Sequence, residues 1–165
     1  EGKKAAVLVM SDRAARGEYA DESGACLKEL LADAGAEITA YEVVPDHKDN
    51  IAQAIVDICK SSQPDVLLAS GGTGPGPRDV TPEVLASISD RMLDGLGDIL
   101  RTESLHYTDT AWLSRMTAGM VGATLVIALP GSPKAVRECW EVLSPFLSDA
   151  LEKIKKEGCE GKKWR

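Results

Sequence analysis

The chain has 165 residues, close to the ~150 expected of one domain, and its 44% hydrophobic and 27% charged content excludes a disordered or fibrous protein. Its formal net charge of −7 argues against broad nucleic-acid binding, which needs a positive footprint, but leaves room for a local basic pocket. No apolar run approaches the ~18 residues of a membrane helix, so no membrane partner is expected.

Ala5 to Met10 is a continuous apolar run, the pattern of a strand buried on both faces. The polar stretch Ser11 to Ala20 reads as a loop. Asp21 offers an N-cap, after which Cys26, Leu27, Leu30, Leu31 and Ala34 recur at helical spacing until Gly35 closes the helix. Ile38 to Val44 predicts a second strand, stopped by Pro45. Ile51, Ala52, Ile55, Ile58 and Cys59 form the stripe of a second helix, and Val66 to Ala69 a third buried strand.

In the second half, Thr81-Pro82 pairs an N-cap with proline at the first helical position and predicts a helix to about Ile88. Further helices are expected over Gly95 to Ser104 and, as a short turn, over Thr110 to Arg115. Gly119 to Leu129 reads as two strands meeting near Gly122. Ser132-Pro133 repeats the cap-then-proline device and opens a helix through Ala135, Val136, Cys139, Trp140 and Leu143. Pro145 should break or kink it before a last helix from Phe146 to about Lys156, followed by a frayed tail, Glu157 to Arg165. Alternation of strand and helix makes this an α/β fold in one domain, residues 1–165, around a mostly parallel sheet. The opening residues carry no secretory cleavage signal. Cys26, Cys59, Cys139 and Cys159 contain no C-x-x-C pair, so neither a metal knuckle nor a disulfide framework is expected, and reduced thiols fit a cytoplasmic setting.

Ligands of open α/β sheets bind beyond the carboxyl ends of parallel strands. The stretches that follow the predicted strands here are Ser11-Asp12-Arg13, Pro45-Asp46-His47, Ser70 to Asp79, and Pro130-Gly131-Ser132-Pro133-Lys134. The third is the most informative. Gly71, Gly72 and Gly74 let a ligand approach the backbone, so their N–H groups can cradle an anion. The stretch is no P-loop, since no G-K-[ST] follows, and Pro75 and Pro77 remove two donors. A tight strand-to-helix turn would use the same glycines. Thr73, Arg78 and Asp79 beside them favour a site. Asp46 and Asp79, with Asp12 as a possible third, suit Mg²⁺, which takes one or two carboxylates plus substrate oxygens; either aspartate would also serve as a cap. Arg13, Arg78, Arg115 and Lys134 are the basic residues of this rim and fit phosphate oxygens. His47 adjoins Asp46, where it could hydrogen-bond a phosphate, and reads more readily as a surface residue.

Ser70-Gly71-Gly72-Thr73-Gly74 followed by Arg78-Asp79-Val80-Thr81-Pro82 resembles the signature of the molybdopterin adenylyltransferase family, which contains the MogA and MoaB proteins and the gephyrin G domain. Ser11-Asp12-Arg13, Pro45-Asp46, Glu103-Ser104-Leu105, Leu113-Ser114-Arg115 and Leu129-Pro130-Gly131-Ser132-Pro133 follow in the family's order, over roughly residues 4 to 156. The resemblance implies a three-layer α/β/α domain assembled as a homotrimer. It implies binding of molybdopterin and ATP with help from Mg²⁺, transfer of AMP to the terminal phosphate of molybdopterin, release of pyrophosphate, and delivery of the product to a molybdenum-insertion protein. By position, Asp46 and Asp79 match the catalytic, metal-binding carboxylates. Gly71, Gly72, Thr73 and Gly74, with Arg78, match the phosphate side, and Ser104 and Ser114 the pterin side. Ser11, Asp12, Gly131, Ser132 and Lys134 match the nucleotide side. The alternative is a non-catalytic carrier or scaffold of the MoaB type, which would have no need of both carboxylates.

Overall fold

A computed structural model describes residues 2–18 and 20–159. The elements in chain order are β1 (Lys4–Met10), α1 (Asp12–Ala15), α2 (Glu22–Asp33), β2 (Glu37–Val44), α3 (Lys48–Ser61), β3 (Val66–Ser70) and α4 (Thr81–Ile88). There follow β4 (Arg91–Met92), α5 (Asp94–Ser104), a 3-10 turn at Ala111–Leu113, β5 (Thr117–Val121), β6 (Thr124–Leu129) and α6 (Pro133–Cys159). The six strands form one sheet in the order β2-β1-β3-β6-β5-β4. The first four run parallel, with Val7 opposite Tyr41 and Leu68, and Leu68 opposite Ile127. β5 and β4 extend the sheet antiparallel.

Successive residues of a strand face opposite sides of the sheet, and the core divides accordingly. On one face Val7, Val9, Leu68, Ile127 and Leu129 pack with Leu27 and Leu31 of α2, Leu100 of α5, and Val136, Leu143 and Leu147 of α6. On the other, Leu8, Met10, Leu67, Val126 and Ala128 pack with Ile51, Ile55 and Ile58 of α3 and Leu85 of α4. Helices therefore cover both faces of β1, β3 and β6, which explains why these strands read as unbroken apolar runs. Among the described residues no helix is long and apolar enough to cross a membrane.

The caps differ in detail. Asp21 caps α2 by accepting from the Gly24 N–H at 2.9 Å, and the Ser132 hydroxyl accepts from the Ala135 N–H at 3.2 Å. Thr81 does not cap α4; its buried hydroxyl donates to the Gly71 carbonyl at 2.8 Å and ties the helix to the glycine loop. The stretch after β1 holds a four-residue helix capped by Ser11, whose hydroxyl accepts from the Ala14 N–H at 3.2 Å.

Pro145 does not end a helix: α6 runs through it without a break to Cys159. Proline removes one intrahelical donor and crowds the preceding turn. The apolar stripe of Val136, Cys139, Leu143, Leu147 and Leu151 continues past that point into the core and holds both halves on one axis. Glu157 thus belongs to α6, and residues 160–165 of the expected tail lie outside the described residues.

Candidate active site

Because β1, β2, β3 and β6 run parallel, the segments following all four leave from the same edge of the sheet. The segment after β3 is held at both ends. Gly71, with φ +113°, donates its N–H to the Leu129 carbonyl at 3.0 Å, and a Cβ there would stand 2.5 Å from the Met10 carbonyl oxygen. Gly72 has φ +69°, its carbonyl accepts the Thr81 N–H at 3.2 Å, and a Cβ would collide with the Thr81 hydroxyl. Both glycines are therefore required by backbone geometry. The Gly71 N–H is also committed to protein and cannot serve an anion. The N–H groups of Gly72, Thr73 and Gly74 donate to no acceptor among the described residues, and these three residues line a cavity of about 490 Å³.

Asp79, Ser104, Ser114, Gly131 and Ser132 line the same cavity, joined by Leu113, Met116, Glu138 and Cys139. The Ser114 hydroxyl is buried and has no hydrogen-bond partner among the described residues. Such a group is costly unless a ligand satisfies it. Asp79 closes the loop on itself: its carboxylate accepts the Gly76 N–H at 3.0 Å and its own N–H donates to the Gly76 carbonyl at 3.1 Å.

Asp12 and Asp46 sit beside this cavity rather than in its wall. They bond reciprocally, the Asp46 N–H donating to Asp12 Oδ1 at 2.9 Å and the Asp12 N–H to Asp46 Oδ2 at 3.3 Å. Arg78 pairs with Asp12 Oδ2. Asp12 is thus committed to fixing Asp46, and its carboxyl is held below the ordinary value, mainly by the Asp46 N–H and then by Arg78. Asp46 goes the other way. Burial raises its pKa most, and the charges of Asp12 and Asp79 add to the rise. The three carboxylates are near enough to repel, and Arg78 offsets this only in part.

Arg115 is not a free phosphate ligand. Its N–H donates to the Thr73 carbonyl at 2.7 Å, Nε to the Gly74 carbonyl at 2.8 Å, and Nη2 to the Asp79 carbonyl at 2.5 Å, while Nη1 pairs with Glu83 of α4. One side chain therefore pins the glycine loop, the Asp79 backbone and a helix together. The segment after β6 is gripped similarly by hydroxyls: Ser70 donates to the Pro130 carbonyl at 2.7 Å and Ser23 to the Gly131 carbonyl at 2.5 Å.

Of the residues singled out in the sequence, Gly72, Thr73, Gly74, Asp79, Ser104, Ser114, Gly131 and Ser132 share the cavity. Asp12, Asp46 and Arg78 form the neighbouring charged corner. Gly71 lies buried beneath the loop, Ser11 caps α1, and Lys134 is exposed at the start of α6 without lining the cavity. His47 is exposed. Sequence reasoning missed Ser23, Glu83 and Glu138. Ser23 and Glu83 sit in the first turns of helices and act across the fold, and only the apolar neighbour Cys139 marks Glu138. Cys139 itself is buried against the Met116 sulfur at 3.6 Å; burial pushes its thiol up to about 11, against a hydrogen bond with Ser104. Cys26 is likewise buried with a raised pKa, and Cys59 is partly buried.

The fold and rim define an α/β protein with uncommitted backbone amides at the carboxyl ends of parallel strands and carboxylates set beside them. Residues 6–149 match the family described as probable molybdopterin binding domain. The chain is 40% identical over 150 residues to the molybdopterin adenylyltransferase of Helicobacter pylori strain J99, covering 90% of this chain and 85% of that protein. It is 36% identical over 156 residues to molybdenum cofactor biosynthesis protein B of Bacillus subtilis, covering 92% and 89%. Its fold matches the crystal structure of the molybdopterin biosynthesis enzyme MoaB from Thermus thermophilus with TM-score 0.85 and 39% identity, over 92% of this chain and 96% of that one. The Mog protein of Mycobacterium ulcerans gives TM-score 0.86 and 36% identity over 93% and 99%. The chain belongs to the MogA/MoaB molybdopterin adenylyltransferase family.

Proposed function

We propose that this protein is a molybdopterin adenylyltransferase of molybdenum cofactor biosynthesis, with ATP and molybdopterin as substrates. An oxygen of the terminal phosphate of molybdopterin attacks the α-phosphorus of ATP. The bond from that phosphorus to the bridging oxygen breaks, and pyrophosphate leaves with the electron pair. The observation that carries this reading is the meeting of three uncommitted N–H groups, at Gly72, Thr73 and Gly74, with Asp79 in one cavity beside the Asp12–Asp46 pair.

Reaction between two polyanions depends on alignment and charge neutralisation more than on a strong base. The loop amides bind phosphate oxygens without presenting a side chain to them. Arg115 keeps those amides and Asp79 in register through three backbone carbonyls. Ser114 supplies a buried hydroxyl that no described residue satisfies and that a ligand in the cavity would. Asp46 and Asp79 are hard oxygen donors of the kind a divalent cation takes alongside substrate oxygens, and the charges of Asp12 and Asp79 add to the rise that burial gives the Asp46 pKa. Mg²⁺ held by Asp46 and Asp79 would supply charge neutralisation for the two polyanionic substrates. Asp12 steadies Asp46 from behind.

A homotrimer accords with the exposed apolar side chains Ile99, Leu105, Tyr107, Trp112 and Leu113, and the product would pass to a molybdenum-insertion protein in the cytoplasm. The test is incubation of purified protein with ATP, Mg²⁺ and freshly released molybdopterin, following adenylylated pterin and pyrophosphate. Product in equal amount with pyrophosphate supports the transferase. Tight pterin binding by folded protein with no ATP consumed makes it a carrier and removes the enzyme reading.

A further inference from the structure

The cavity is chemically polarised. The glycine loop contributes donors with no acceptor, while on the α6 side stands Glu138, the only carboxylate besides Asp79 among the described lining residues. Glu138 makes no hydrogen bond or ion pair with any described residue, although Arg137 next to it pairs with Glu29. No lysine, arginine or histidine belongs to the described lining. Glu138 therefore lines the cavity with a carboxylate that no donor among the described residues occupies. The apolar Leu113, Met116 and Ala135 and the unpartnered Ser114 hydroxyl line the same cavity.

A ligand complementary to this arrangement carries an anion at one end, a flat apolar body, and a donor edge at the other. A 2-amino-4-oxo pteridine with a phosphate-bearing side chain has that distribution, since its 2-amino group and adjacent ring N–H point the same way. We propose that Glu138 is the specificity-determining residue for the ring: its carboxylate accepts from the 2-amino group and the neighbouring N–H, and this fixes which end of the substrate reaches the loop. The inference rests on molybdopterin being the substrate and adds the residue that reads its ring. A charge-assisted pair of this kind contributes about a tenfold to hundredfold preference. It also rejects a ring bearing a carbonyl at position 2, because two acceptors would then face each other.

The test uses the full chain and two fluorescent probes, a 6-phosphomethyl pterin and the matching lumazine, whose 2-amino group is replaced by oxygen. Wild-type protein should bind the pterin at least tenfold more tightly than the lumazine. Glu138→Gln should weaken the pterin about tenfold and bring the ratio close to one, since the amide can donate to the lumazine carbonyl. Glu138→Asp, with the carboxylate drawn back, should keep the preference for the pterin at reduced affinity. The KM for ATP and the melting temperature of both variants should stay at wild-type values, which a merely structural role for Glu138 would not predict. If wild-type protein adenylylates molybdopterin while Glu138→Gln retains its full affinity and its pterin-to-lumazine ratio, the ring assignment is overturned and the transferase stands. If wild-type protein neither adenylylates molybdopterin nor distinguishes the probes, both readings fall together.

Discussion

The parallel and antiparallel parts of the sheet contribute differently to the site. The parallel part places its functional groups by backbone position alone: Asp12, Asp46 and the glycine loop each follow directly from the end of a buried strand. The antiparallel part brings Ser104, Ser114 and Arg115 from α5 and the turn before β5; the two serines line the cavity, and Arg115 reaches the loop through side-chain bonds across the fold. In the proposed function the first part sets where phosphate and cation go. The second forms the opposite wall and holds the loop in shape. Each assignment can be broken separately by substitution.

The largest effect is expected at Asp79. Asp79→Asn should lower kcat/KM for adenylylation about a hundredfold or more, as loss of a group stabilising charge in the reaction does. The fold should hold, because the asparagine carbonyl can still accept the Gly76 N–H. A melting temperature within about 3 °C of wild type would fit this. Early melting with activity preserved in the folded fraction would reduce Asp79 to a loop cap.

Gly71→Ala addresses the backbone of the parallel part. The residue sits at φ +113° with the Met10 carbonyl in the way of a side chain, so the cost is about 1–3 kcal/mol. Thermal unfolding should show a Tm drop of several degrees. An unchanged Tm would mean that the loop can shift without penalty and that its geometry is not fixed by β1.

Arg115 tests the other part. Arg115→Ala removes three bonds to loop carbonyls or α4 and leaves the Gly74 and Asp79 carbonyls without that donor, at a cost of about 1–3 kcal/mol given its partial exposure. Activity should fall about tenfold beyond what the Tm shift explains, with Arg115→Lys intermediate because lysine cannot fork between carbonyls. Wild-type kinetics in Arg115→Ala would leave the antiparallel part as a passive wall.

The same division explains what the sequence disclosed. β1, β3 and β6 were legible because burial on both faces leaves an uninterrupted apolar run, and the caps at Asp21 and Ser132 follow from local chemistry. Gly72, Thr73, Gly74 and Asp79 were legible as a loop for the same local reason. Thr81 shows the limit: the cap-then-proline pattern marks the helix start, but the hydroxyl is taken by the Gly71 carbonyl, a partner ten residues back across a turn. Pro145 shows another. Local propensity favours a break, and the apolar stripe on either side outweighs it. The brace made by Arg115 and the bond from Ser23 to Gly131 depend on tertiary placement, which no local pattern in one sequence records.

The smallest predicted change in stability is the most specific to the charged corner. Asp46 has a folded pKa above the ordinary 3.8, chiefly through burial and then through the charges of Asp12 and Asp79. A carboxyl shifted upward favours the folded state while protonated. That contribution is lost as pH rises from about 3.8 through the folded value, so at neutral pH the ionised Asp46 works against folding. Glu83 has the opposite sign. Arg115 holds its pKa below the ordinary 4.5, so its contribution is present above that pH and is lost as pH falls through the folded value. Asp46→Asn should therefore melt slightly above wild type at pH 7, with the difference shrinking as the pH approaches 4, while adenylylation is lost. Mg²⁺ should raise the wild-type Tm and narrow the gap, because a cation relieves the same repulsion that the amide removes. If Asp46→Asn instead melts below wild type at pH 7 without Mg²⁺, the carboxylate is already compensated by the protein, and the case for a cation between Asp46 and Asp79 fails with it.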